Sequence, residues 1–223
     1  MASISHGMMG RPAVASAAIL ARRLLAPWTT RTAADVIRER ASLAAVAELQ
    51  SRSECRPLDV GALLRSTPGA DSHLGYEAIN KVVPLVFGWG GPASGWTGQL
   101  ALDKIPSERL PSAEFATPML TAIDHINEDV CGHPGIIHGG MTAVIVHTMA
   151  SLAAALNAPP GASMDARTLN MDYRKPIRTG TFVKIHAWPF ERSRNGLKTA
   201  VHIYGLQNEV LVEASADLTV APA

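Results

Sequence analysis

The chain has 223 residues, 47% of them apolar and 17% charged, with a formal net charge of +1. That length and composition can bury one ordinary core and leave room for extensions. The near-neutral balance gives no electrostatic case for nucleic acid or a strongly acidic partner. No apolar run reaches the roughly 20 residues of a membrane-spanning helix. The two cysteines, Cys55 and Cys131, are too few for a disulfide framework and read as structural reduced thiols.

Residues 1–34 contain no Asp, Glu or Lys, while Arg11, Arg22, Arg23 and Arg31 lie among Ala, Ser, Thr and Leu. This composition fits a mitochondrial transit segment, so a matrix location is expected. Arg22 and Arg23 interrupt the apolar stretch that a secretory signal would need. A plain basic tail is the alternative.

Thr32-Ala33-Ala34-Asp35 has the spacing of a capping box. Val36, Ile37, Leu43, Ala44 and Ala47 then recur at helical spacing, so an amphipathic helix is expected to about Gln50, docked on the domain or on a partner. Residues 51–72, punctuated by Pro57, Gly61, Pro68 and Gly69, read as connecting structure. VFGWGGPASGWTG, residues 86–98, lacks the Lys-Ser/Thr ending of a phosphate loop and reads as a turn anchored by Trp89 and Trp96. Three segments follow: 1–34 as transit segment, 35–90 as helical extension and linker, and 91–223 as the main domain.

Within that domain Pro118–Asn127 reads as a strand. Gly139–Asn157 carries no Asp, Glu, Lys or Arg and is almost wholly apolar. A helix apolar on every face must be buried on every face, and Pro159-Pro160 ends it. Four further strands are expected over 167–173, 181–190, 197–204 and 210–220. Asn195-Gly196 marks a hairpin between the second and third of them. One buried helix followed by an antiparallel meander is an α+β arrangement, with the sheet curled around the helix.

The chemistry-bearing stretch is CGHPGIIHGGMTAVIVH, from Cys131 to His147. His138-Gly139-Gly140 stands directly before the charge-free helix. Glycines there permit a tight turn and close approach of a ligand. Free amides at a helix start can hold a carbonyl oxygen as it gains negative charge.

CGHPGIIHGG, together with TLNMDYRKPIRTGTFVKIHA downstream, resembles the two signature stretches of hotdog-fold acyl-CoA thioesterases of the phenylacetate-pathway type, mitochondrial and fungal members most. The resemblance covers roughly Pro118 to Val220. It implies a sheet wrapped around the long helix and subunits paired into a continuous sheet, as a homodimer or with a related hotdog chain. It also implies active sites at the dimer interface, no cofactor, and coenzyme A as part of the substrate. An HGG amide, from Gly139 or Gly140, would polarise the thioester carbonyl, with His138 shaping the loop through a ring-to-backbone bond. Members usually have six residues and then Asp after the glycine pair; here Met141 to Val146 are those six and His147 takes the Asp position, followed by Thr148, and no carboxylate occurs between Cys131 and Asp165.

A neutral imidazole at 147 can take a proton from water but cannot form an acyl anhydride as a carboxylate can. Two readings therefore stand side by side. One is a thioesterase using His147 as base. The other is an inactive hotdog subunit or acyl binder of a larger mitochondrial assembly. A minor third is a hydroxyacyl dehydratase, because His133 and His147 lie fourteen apart, as do the His and Glu of that enzyme class. Arg167, Arg174 and Lys175 are the implied contacts for coenzyme A phosphates, and Asn170 joins them as a substrate-binding candidate. His125, His133, His138 and His147 lack metal-ligand spacing, so no metal is expected.

Overall fold

In the computed structural model the described residues are 32–53, 55–60, 84–89, 120–156, 162–193 and 196–221. The transit-segment reading, Trp96 and Asn195 lie outside them. The capping-box sequence starts a helix as expected, but the amphipathic stretch divides in two. Helix α1 spans Ala33–Ala41 and α2 spans Ala44–Ser51. Between them Ser42 Oγ donates to Glu39 O at 2.7 Å. A serine that bonds its own turn competes with continued helix. Leu43 is then extended, with φ −68° and ψ 135°. The break lets Val36, Val46 and Leu49 of both helices reach Phe87, Ile123 and Phe182 together.

The strands, in chain order, are β1 (Cys55–Pro57), β2 (Leu85–Trp89), β3 (Leu120–Ile126), β4 (Cys131–His133), β5 (Ile136–Ile137), β6 (Ser163–Tyr173), β7 (Thr181–Ser193), β8 (Gly196–Gly205) and β9 (Val210–Ala221). Helix α3, Gly139–Ala155, lies between β5 and β6. Among the described residues one seven-stranded sheet runs β1-β2-β3-β7-β8-β9-β6, and β4-β5 is a separate hairpin. The sheet thus begins before residue 91. Residues 55–57, expected as connection, form its first strand, and 85–89 leave the expected tryptophan turn to form its second. Both are short: β2 takes its backbone bonds from β3 far away in sequence, and β1 takes its own from β2.

Paired residues share a sheet face, which sorts the side chains. Ile185, Ile203, Val212 and Leu218 lie on the face that packs against α3. The opposite face carries Lys184, His186 and Trp188 of β7 beside Tyr204, His202 and Ala200 of β8. Helices α1 and α2 cover the Ile123–Phe182 part of that outer face. This is the α+β hotdog arrangement expected from the sequence. The expectation that α3 is buried on every face holds for Thr148–Ala154 but fails nearer its start. There Gly139, Gly140 and Val144 are exposed, and Met141, Ala143 and His147 are half-buried.

Candidate functional site

The start of α3 is held from several sides. His138 N–H donates to Val130 O at 2.8 Å and Ile137 N–H to Ile177 O at 3.1 Å, which fixes the chain entering the helix. Gly132 lies against His138 so closely that a Cβ there would stand 2.8 Å from His138 Cα. His138 itself is the N-cap, extended at φ −67° and ψ 133°. Its Nδ1 accepts the Gly140 N–H at 3.0 Å, so a neutral ring with this bond carries its proton on Nε2. The ring-to-backbone role expected of His138 is therefore present. Its carbonyl accepts from Met141 N–H at 2.9 Å and Thr142 N–H at 3.1 Å.

Two glycine amides were candidates for a carbonyl receptacle, and the geometry separates them. The Gly140 N–H is occupied by His138. The Gly139 N–H meets no acceptor among the described residues and belongs to an exposed residue. It is also polarised, because the peptide it belongs to carries the His138 oxygen that two helix amides already bind. The first free donor of the helix thus faces outward at its positive end.

His147 lies on the same stripe. Gly140, Val144 and His147 are spaced i, i+4, i+7, one face of a helix. Eight residues from Gly139 to His147 rise about 12 Å along the axis. Helical side chains lean back toward the N-terminus, which shortens that gap. Burial disfavours the charged imidazolium and lowers the His147 pKa below its ordinary value. The ring is thus held neutral, with a base available near neutral pH.

The other predicted residues are spread out. Asn170 pairs with Ser215 on the outer face of β6, whereas Leu169 and Met171 pack toward α3. Arg174 is committed: it meets Asp172 and Glu213, each at 2.7 Å, and its pKa is raised first by the hydrogen bond to Glu213. Lys175 is exposed and makes no ion pair among the described residues. Arg167 sits at the bulge in β6 and lines a cleft of about 310 Å³ with Glu191, Lys198 and Asp217. His133 is exposed on the β4–β5 hairpin. His125 packs edge-on against Phe182 at 5.0 Å. Among the described residues no three His, Cys, Asp or Glu converge as a metal site.

Tyr173 joins the site without having been singled out. Its hydroxyl donates to Gly139 O at 3.0 Å. The period of two in β6 was the available signal, since Leu169, Met171 and Tyr173 alternate onto the helix-facing side.

The elements that carry this geometry also carry the likeness to known proteins. Residues 134–212 match the Thioesterase superfamily, a span from the β4–β5 turn through α3 into β9. Among solved structures, a Haemophilus influenzae thioesterase is similar at 24% identity, covering 48% of this chain and 73% of that one, with a TM-score of 0.43. A Bacillus halodurans protein solved with CoA is similar at 22% identity, covering 47% and 68%, with a TM-score of 0.43. A Streptococcus mutans protein bound to acetyl CoA is similar at 13% identity, covering 45% and 79%, with a TM-score of 0.42. No curated protein matches significantly.

Proposed function

We propose that the protein is an acyl-CoA thioesterase in which the Gly139 amide holds the thioester oxygen and His147 activates water. The observation that carries the reading is the outward Gly139 N–H at the start of α3, which meets no acceptor among the described residues, on a helix that presents a neutral His147 about two turns further along. The steps balance. Neutral His147 takes a proton from water while the water oxygen bonds to the thioester carbon. The carbonyl oxygen gains negative charge at the Gly139 N–H. As the carbon–sulfur bond breaks, the departing thiolate receives the proton from His147, leaving acid and CoA thiol. Lys175 and Arg167, which make no ion pair among the described residues, are the proposed contacts for the coenzyme A phosphates. The edge of β6 away from β9 pairs with no strand among the described residues, which supports assembly through that strand with a second hotdog chain. The acid-free, arginine-bearing residues 1–34 support a mitochondrial setting.

One observation favours a second reading, an inactive acyl-binding subunit: α3 carries no carboxylate at all. Purified protein offered a panel of acyl-CoAs, with released thiol measured, separates the two. Turnover that falls by about 10²- to 10⁴-fold in His147→Ala is the result expected of a lost base. An inert wild type that gains hydrolysis as His147→Asp would establish the second reading instead.

A further inference from the structure

The Gly139–Gly140 peptide is gripped at both ends. Its carbonyl oxygen, on Gly139, accepts the Tyr173 hydroxyl at 3.0 Å. Its N–H, on Gly140, donates to His138 Nδ1 at 3.0 Å. We infer that Tyr173 is a positioning residue for the thioester receptacle, acting through this clamped peptide; the inference rests on the thioesterase reading above.

Two consecutive glycines lack the Cβ atoms that restrict rotation, so the peptide between them is the softest of the first turn. The first N–H groups of a helix, that of Gly140 among them, also lack intrahelical partners, although the Gly139 oxygen stands within the helix ladder. A rotation of this peptide would swing the Gly139 oxygen toward the space where the thioester oxygen gains charge, and two negative oxygens repel. It would also free the Gly140 N–H from His138. The phenol reinforces the helix's own hold against the first, and the imidazole opposes the second. Only the preceding amide, Gly139 N–H, is then left as a donor to the ligand. The ring stands at the site itself: a Cβ on Gly139 would meet the Tyr173 oxygen at 3.6 Å. Tyr173 is 52% exposed, so a large part of its surface is not packed in the core. Such a side chain contributes little to global stability, and its bond to Gly139 is what it supplies.

The test is Tyr173→Phe, which keeps the ring and removes the donor. Two measurements are made on wild type and variant: steady-state hydrolysis of acyl-CoA, and hydrogen exchange of the Gly140 amide followed by NMR. Expected in the variant are a kcat lower by about three- to tenfold, the worth of one neutral hydrogen bond, a KM changed by less than about twofold, and a Gly140 amide that exchanges at least about threefold faster. A merely structural role would instead lower the melting midpoint without a selective change at Gly140. If the wild type is inert yet the Gly140 amide still loosens in the variant, the clamp stands and the thioesterase reading falls. If hydrolysis is present but neither kcat nor Gly140 exchange responds to the substitution, the inference about Tyr173 is overturned while the thioesterase reading survives. Should Tyr173→Phe fail to fold, Tyr173→Trp keeps an aromatic ring without a hydroxyl at that position and is held to the same outcomes.

Discussion

Replacing His186 with Phe should make the fold much less sensitive to acid. His186 sits on the outer sheet face, its ring 5.1 Å from that of Tyr204, with Lys184 on its own strand and His202 directly across. Burial disfavours its charged form first, and the charges of Lys184 and His202 add to this, so its pKa falls from 6.5 to about 3. The unfolded chain therefore binds a proton that the folded chain refuses. Stability tied to His186 is fully present above pH 6.5 and is lost as the pH falls toward 3. At 1.36 kcal/mol per pKa unit the whole effect is about 5 kcal/mol, and about 3 kcal/mol of it is gone by pH 4. That is a large share of the 5–15 kcal/mol that typically holds a domain together. The assay is urea unfolding followed by tryptophan fluorescence at pH 7 and pH 4, at one ionic strength. In His186→Phe the stability difference between the two pH values should shrink by about 3 kcal/mol relative to wild type. An unchanged difference would refute the idea that burial of this histidine sets the acid limit.

Hydrolysis should depend on pH through His147. Because burial lowers its pKa below 6.5, the rising limb of kcat/KM belongs on the acid side of 6.5, with a plateau above it; a limb centred above 6.5 would exclude His147 as the base. Gly132→Ala should destabilise the protein by about 1–3 kcal/mol, because the added carbon meets His138 backbone at 2.8 Å. A melting midpoint equal to wild type would show that the hairpin yields freely. Lys175→Ala should raise KM for acyl-CoA, whereas Arg174→Ala should leave it near wild type, since Arg174 is already bound to Asp172 and Glu213. The reverse pattern would assign the phosphates to Arg174.

The helix α3, the four strands after it and the HGG entry were legible in the sequence because each is written in local signals. An apolar run without Asp, Glu, Lys or Arg, followed by Pro-Pro, has one physical solution, and alternating strands around a turn have another. Ser42 broke the N-terminal helix where the apolar spacing alone ran on. Strands β1 and β2 were not legible, since segments of three and five residues take their hydrogen bonds from each other and from a distant β3 and leave no period to read. The same holds within the site. Residue types placed His138, Gly139, Gly140 and His147 together, being close in the chain on one loop and one helix. Which glycine amide remains open was decided by the His138 ring closing on Gly140, and that Tyr173 holds the peptide depended on β6 crossing the start of α3 thirty-four residues away. Contacts of that separation are fixed by how the sheet closes over the helix, and only the folded chain has that closure.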